Sequence, residues 1–387
     1  MKILIAGDLV IPESVGSENL LADDVKGLFQ TSDYNILNLE CTVTDAGIES
    51  QIIKTGPHLK GNEYLIKSVL RDLKINLVTL ANNHILDYGA KGLVDTIEFC
   101  KTQGVEFVGA GRTLHEAQRP TRVIIDGIRI SIVNFAENEW ASSTEQTAGA
   151  NPMDIVENVR VIKKEKKNSD FVFVIIHGGH EYYNLPSPRI QKQYRFYVDN
   201  GADLIVGHHP HCISGHEIYN GVPIYYSLGN FLFAKEKNTN GWYLGIVLAL
   251  NISNNGTIET QAIPVQLDRT SFILKTLPDD EEKAFNNDFQ KFNEIIGNKE
   301  KLEKSWEEYV SSRTYQFLNN WSPASFIKNR YIYGLMNKLG FSRFLMNEHY
   351  TKAKLNLIRC EAHADLSKKI LKKHLSSNEI DKISNPS

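Results

Sequence analysis

Short runs of mostly apolar, β-branched residues recur along the first 270 positions: Lys2 to Ala6, Asn35 to Leu39, Asn76 to Leu80, Phe171 to Ile176 and Leu204 to Val206. Each has the length of a strand and is too continuous to leave one face wet, which predicts strands buried on both sides. Between them Tyr64 to Leu73, Lys91 to Thr102, Ile155 to Lys166 and Ile190 to Asp199 space their apolar residues at helical intervals, and Gly104 and Gly201 follow as closing turns. Alternation of this kind predicts an α/β fold, with layered mixed β-sheets flanked by helices. Turn signals at Asp126-Gly127, Asn220-Gly221 and Asn254-Asn255-Gly256 each separate two apolar runs. They predict hairpins, so antiparallel pairs join the parallel ones.

After about residue 270 the pattern changes. Asp279 to Tyr309 is rich in Glu and Lys at helical spacing, and Pro323 to Leu375 is again helical, mixing aromatics with Lys and Arg. The expected organisation is a layered domain over 1–270 and a helical, basic extension over 271–387, with the last dozen residues fraying. Charge follows this division: from Tyr309 onward there are thirteen Lys and Arg against five Asp and Glu, although the whole chain of 387 residues carries a formal net charge of only −3. The layered part is therefore acidic and has no basic-aromatic stripe, so no nucleic-acid partner is expected. Cys41, Cys100, Cys212 and Cys360 lie far apart with no C-x-x-C pair, which argues against a disulfide framework and a zinc ribbon. No stretch has the length of a signal-peptide core or a membrane span, and the expected location is the cytoplasm.

Chemistry gathers where the apolar runs end. Asp8 follows the first, Glu40 the second, Asn82-Asn83-His84 the third and His177 the next. After Leu204 to Val206 come His208, His209, His211 and His216, four of only twelve histidines in the chain. Parallel strands of a layered sheet present their C-terminal ends at one edge, where ligands bind, so these residues are expected to converge. Carboxylate, amide oxygen and imidazole together suit one or two first-row divalent ions, manganese, iron or zinc, better than calcium or magnesium.

Gly7-Asp8, Asn38-Leu39-Glu40, Ala81-Asn82-Asn83-His84-Ile85-Leu86-Asp87-Tyr88-Gly89, His177-Gly178-Gly179-His180-Glu181-Tyr182, Gly207-His208-His209-Pro210-His211 and Ser227-Leu228-Gly229-Asn230-Phe231 occur in that order. The series resembles the motifs of the CapA family, the poly-gamma-glutamate capsule biosynthesis proteins, a branch of the calcineurin-like metallophosphoesterases. It covers about residues 1 to 265; the helical remainder resembles nothing of the family. The resemblance implies that Asp8 ligates a first metal, Glu40 bridges two, Asn83 and His177 are further ligands, and His84 is the general acid. The GHHPH block has one residue more than the superfamily pattern. Either His208 or His209 therefore aligns with its first histidine; His208 and His211 are favoured as ligands, with His209 as a hydrogen-bond partner. Where many superfamily members have D-x-H, this chain has Asp8-Leu9-Val10, which leaves a single occupied site or a labile second one as alternatives to a tight pair.

Other residues are placed near the site by sequence alone. Glu181, four positions after His177, is expected to orient an imidazole or to act as acid or base itself. Lys54 and Glu139 are expected to reach an anionic substrate or polymer, and Asn230 to fix a turn beside it. The combined expectation is a metal-dependent hydrolase of a phosphoester or related bond, working on a bacterial surface polymer. Its rival is a metal-stabilised factor that holds an anionic capsule polymer without cleaving it. The basic C-terminal helices are expected to dock on the acidic layered domain, with contact to an anionic membrane surface as the alternative.

Overall fold

The computed structural model describes residues 1–359 apart from 18, 55, 254–255, 322–326 and 328, and beyond them residue 371. In chain order the strands are β1 Lys2–Val10, β2 Tyr34–Leu39, β3 Leu77–Thr79, β4 Glu106–Val108, β5 Ala110–Gly111, β6 Thr121–Ile125, β7 Ile128–Ala136, β8 Gly149–Ala150, β9 Phe171–His177, β10 Leu204–His208, β11 His216–Tyr219, β12 Val222–Tyr225, β13 Asn230–Phe233, β14 Leu244–Ile252, β15 Ile258–Leu267 and β16 Leu274–Thr276. The helices are α1 Asp23–Gln30, α2 Glu63–Asp72, α3 Gly89–Thr102, α4 Leu114–Ala117, α5 Ile155–Lys166, α6 Pro188–Asp199, α7 Asp279–Ile296, α8 Lys299–Trp321, α9 Arg330–Lys338, α10 Phe341–Leu345 and α11 Glu348–Arg359.

Two mixed sheets carry the layered α/β fold. One runs β16-β15-β14-β1-β2-β3-β4, with β13 also paired to β1, and the other runs β11-β12-β10-β9-β7-β6. Strands β1 to β4 are parallel, as are β7, β9, β10 and β12. Successive side chains of a strand point to opposite faces, and here both faces are apolar. Ile3 and Ile5 of β1 join Ile36, Phe173, Ile175, Leu204 and Val206 in a core between the sheets. Leu4 and Ala6 of the same strand face the other way, toward Val25 and Phe29 of α1 and Leu65, Ile66 and Val69 of α2. On the far side Val172, Val174 and Ile176 of β9 pack with Ile162 of α5 and Tyr194 and Tyr197 of α6. The order of layers is helix, sheet, sheet, helix, and the unbroken apolar runs follow from that double burial.

The hairpins lie at sheet margins. Asp126 and Gly127 have φ of 51° and 80°, and Asn220 and Gly221 have 50° and 82°, the paired positive angles of the two-residue turn that matches strand twist. Strands β14 and β15 pair antiparallel along their whole length, but Asn254 and Asn255 of the third expected turn lie outside the described residues, as do Cys360 and much of Pro323 to Leu375. Helix α1 is not anticipated by the sequence pattern. It is eight residues long with only Val25 and Phe29 buried, too short for a helical period to stand out.

By its internal contacts the chain divides into Met1–Trp306 and Glu307–Ser387. The first unit thus runs well past the change of composition near residue 270, because α7 sends Phe285 and Phe289 into the core between the sheets. The helical spacing over Asp279 to Tyr309 is realised as two helices, separated at Gly297 and Asn298, where α7 ends and α8 begins. In the second unit α8 continues and α9, α10 and α11 follow.

Candidate metal centre

Strand β1 does not end at Ala6. It continues to Val10, and its register against both β2 and β13 slips at Asp8. Such a bulge re-aims a side chain, and Gly7 makes room for it: a Cβ there would lie 2.1 Å from the Gly229 carbonyl oxygen. Asp8 is fully buried and accepts a hydrogen bond from Asn38 Nδ2 at 2.7 Å. Its two oxygens lie 3.3 Å from His208 Nδ1 and 3.5 Å from His211 Nδ1.

Glu40, immediately after β2, occupies the middle. One of its oxygens is 3.5 Å from His177 Nε2, 3.8 Å from His211 Nε2 and 4.0 Å from His84 Nε2. His177 ends β9 and His208 ends β10, paired in register on neighbouring strands. Beyond them the chain turns sharply, and His209 and His211 both have positive φ, 98° and 55°. Such angles cost non-glycine residues about 1–3 kcal/mol each. They bring His209 Nδ1 to 3.1 Å from His177 Nε2, with Asn83 Oδ1 3.0 Å from the same nitrogen.

Two groups of potential ligand atoms result, Asp8 with Glu40 and His211, and Glu40 with His177 and His209; within each, all atoms lie within 4.8 Å of one another. Glu40 belongs to both. Asp8 Oδ2, both Glu40 oxygens and both His208 nitrogens are buried with no hydrogen-bond partner, a costly arrangement for a protein left to itself. Carboxylate and imidazole in this mixture are donors suited to first-row divalent ions. The residues therefore fit one or two such ions, with Glu40 in the position of a shared ligand.

The electrostatics agree. Burial pushes the Glu40 carboxyl well above the usual carboxylate range, and the charges of Asp8 and Glu181 push it the same way. Burial also raises Asp8, but its contacts with His208 and His211 outweigh that and hold it well below its ordinary value. His177 is driven well below the ordinary imidazole range by burial and by His209 beside it. One carboxylate is thus stabilised by its imidazoles while the next lacks compensation, and added positive charge at Glu40 relieves the imbalance.

His84 approaches from the loop after β3. Its Nδ1 is 2.6 Å from Asp87 Oδ2, which turns Nε2 toward Glu40. Asn82 shapes that loop, its amide nitrogen bonding Leu39 O and its oxygen accepting from the His84 amide. Lys54 is turned inward: its side chain is 3% exposed, it is paired with Asp87, and its Nζ is 3.2 Å from His84 Nδ1. It acts on the site through those two residues. Glu139 lies 3.8 Å from His209 Nε2. Glu181 is exposed on the loop after β9, close enough for its charge to weigh on Glu40, His209 and Glu139. Asn230 holds the ligand set from behind, with Oδ1 3.0 Å from His211 Nδ1 and Nδ2 donating to Trp242 O.

Asp87, Asn38, Tyr182 and Trp242 belong to the site without having been singled out. Trp242 and Tyr182 rings lie 5.0 and 6.3 Å from that of His211. Asp87, three residues after His84, Asn38, two before Glu40, and Tyr182, five after His177, stand inside the motifs, and that closeness is the signal for them. Nothing in the sequence marks Trp242, which arrives through the turn preceding β14.

With this geometry in place, the comparisons with known proteins are specific. Residues 2–235 match the model of the bacterial capsule synthesis protein family PGA_cap. The chain belongs to this family. It is 34% identical over 264 residues to the PGA biosynthesis protein CapA of Bacillus subtilis, covering 66% of this chain and 67% of that one. To the capsule biosynthesis protein CapA of Bacillus anthracis it is 34% identical over 223 residues, 55% of this chain and 53% of the relative. The chain thus spans between about half and two thirds of the length of these relatives. Among solved structures, a phosphatase from Mycoplasma pneumoniae aligns with a TM-score of 0.43 at 13% identity, over 70% of this chain and 95% of that one. All the ligand candidates, from Asp8 to His211, fall inside the family match, and the helical second unit falls outside it.

Proposed function

We propose that this capsule-synthesis family member is a metal-dependent hydrolase of a phosphoester or related bond, acting in the making or modification of an anionic capsule polymer. The observation that carries this reading is Glu40, a fully buried carboxylate shared by two carboxylate-imidazole groups and left with both oxygens unpartnered. Asp8, Glu40 and His211 would hold one ion, and Glu40, His177 and His209 a second, with Asn83 and His208 completing the set. Manganese, iron or zinc bound there supplies Lewis acidity, which lowers the pKa of a water and polarises the bond to be cleaved.

The chain's own residues account for the rest. Asp87 accepts the Nδ1 proton of His84, so the imidazole is held with Nε2 facing the ligand set; only the doubly protonated ring carries a proton on Nε2, and that is the proton it would deliver to a leaving oxygen, returning to the neutral Nδ1–H form. Burial pushes His84 below the ordinary imidazole range, with the Asp87 carboxylate acting against this. Lys54 neutralises Asp87 in turn, which keeps a second uncompensated carboxylate out of the pocket. Asn38 bonds Asp8 and lies 3.4 Å from His177 Nδ1, fixing one ligand of each group.

One feature favours a second reading, that of a non-catalytic holder of the polymer: the D-x-H position is Val10, fully buried beside Phe233 of β13 and unable to ligate. Hydrolysis of an aryl phosphate by the purified chain with added manganese distinguishes the two. The hydrolase reading requires turnover that falls by about 10²–10⁴-fold in His84→Ala while metal content stays unchanged. Metal binding without turnover of phosphomonoesters, phosphodiesters or gamma-glutamyl peptides supports the holder.

A further inference from the structure

From Tyr309 to Asn347 the chain contains no Asp or Glu and five Lys or Arg. Within that stretch α9 places Tyr331, Ile332, Leu335 and Leu339 along one face, at the spacing of neighbours on a helix surface. That face is open. Tyr331 is 72% exposed, Leu335 58% and Leu339 75%. Gly340, with φ of 75°, ends α9 and starts α10, a left-handed stop that glycine tolerates. Phe344 of α10 then adds a side chain 77% exposed.

Cations border this apolar surface. Arg330 lies over the Tyr331 ring at 4.8 Å and donates to its hydroxyl at 2.7 Å. Lys338 sits at the C-terminal end of α9 and Arg343 within α10. None of the three forms an ion pair among the described residues. No helix of the described residues is long and apolar enough to cross a membrane.

We propose that α9 and α10 form a peripheral anchor that lies flat on an anionic lipid bilayer, aliphatic and aromatic side chains at the acyl boundary and cations among the headgroups. An amphipathic basic helix with aromatics has the composition for this placement. Two alternatives fit less well. Pairing with a second copy through the same face would set cations against cations, with no acidic residue in the segment to relieve them. Membrane insertion is excluded for these helices by their length of nine and five residues, against the roughly 20 that a span requires.

The test is co-sedimentation of the full chain with vesicles of phosphatidylcholine alone or with about one third phosphatidylglycerol, at low and at high salt. Binding should be at least about tenfold stronger to the anionic vesicles and should weaken as salt screens it. The triple variant Arg330→Gln, Lys338→Gln, Arg343→Gln keeps good helix formers and should bind no better than the phosphatidylcholine control permits. Leu335→Asp with Phe344→Asp should lose binding to both compositions, with helix content by circular dichroism retained by each variant. Equal binding to the two vesicle types, binding to neither, or variants that bind like the parent would each overturn the proposal. Metal content is read in the same samples and is unaffected by any of these outcomes, so the anchor fails or stands apart from the metal centre.

Discussion

Replacing Glu40 by alanine should remove more metal than replacing Asp8, because Glu40 lies in both ligand groups and Asp8 in only one. Elemental analysis of the two variants, purified without added metal, is the check. Equal content in both would point to a mononuclear centre. That these residues come together could be read from sequence because most of them sit at or just past the end of a strand whose apolar pattern is unmistakable. What could not be read is how side chains turn in the loop after β10. The positive φ of His209 and His211 brings His209 into the group with Glu40 and His177, where the motif pattern favours His208. That rotation depends on contacts made by residues far away in sequence, Asn230 and Trp242 among them. Lys54 is a similar case: expected to reach an anionic substrate, it is received instead by Asp87, over thirty positions later.

Helix α7 shows why element boundaries were less legible than the elements. Its charged sequence suggests a detached extension, yet Phe289 stacks on His216 with ring centroids 5.3 Å apart, and His216 stacks on Tyr225 at 4.8 Å. Three aromatics, Phe285, Phe289 and Phe292, give α7 a narrow stripe, and only the sheet supplies the surface it fits. Phe289→Ala should cost about 3 kcal/mol of stability by urea unfolding. The stack also has a pH dependence. Burial lowers the His216 pKa from 6.5, so the folded state prefers the neutral ring while the unfolded chain still takes up a proton. The contribution is complete above about 6.5 and is lost as the pH falls from there toward the depressed folded value. Unfolding midpoints at pH 7.5 and pH 5.5 should therefore differ less in His216→Phe than in the parent; an unchanged difference would show that His216 is not its source.

For the molecule as a whole, the unpartnered buried oxygens make the metal-free protein the weaker one. Manganese held at about 100 times its dissociation constant should add about 2.7 kcal/mol, read as a rise in thermal midpoint that a chelator reverses. In Glu40→Gln the metal-free protein should melt higher than the metal-free parent, since a carboxyl that resists ionisation is gone, and the response to manganese should shrink. A metal-free variant that melts lower would mean Glu40 is satisfied in some other way. The layered α/β class followed from the alternation of buried runs with helical segments, whereas the reach of the first unit to Trp306 did not, because it depends on packing rather than on composition.

Strand β1 lies between β2 on one side and β14 on the other, with Lys2 opposite Asn251. During synthesis this strand emerges more than two hundred residues before β14, with one edge and much of its apolar surface uncovered in the interval. The ligands follow the same timetable, Asp8 and Glu40 waiting for His209 and His211. Assembly of the carboxylate and imidazole cluster is therefore a late step in biogenesis, and the nascent chain carries an open strand edge until then.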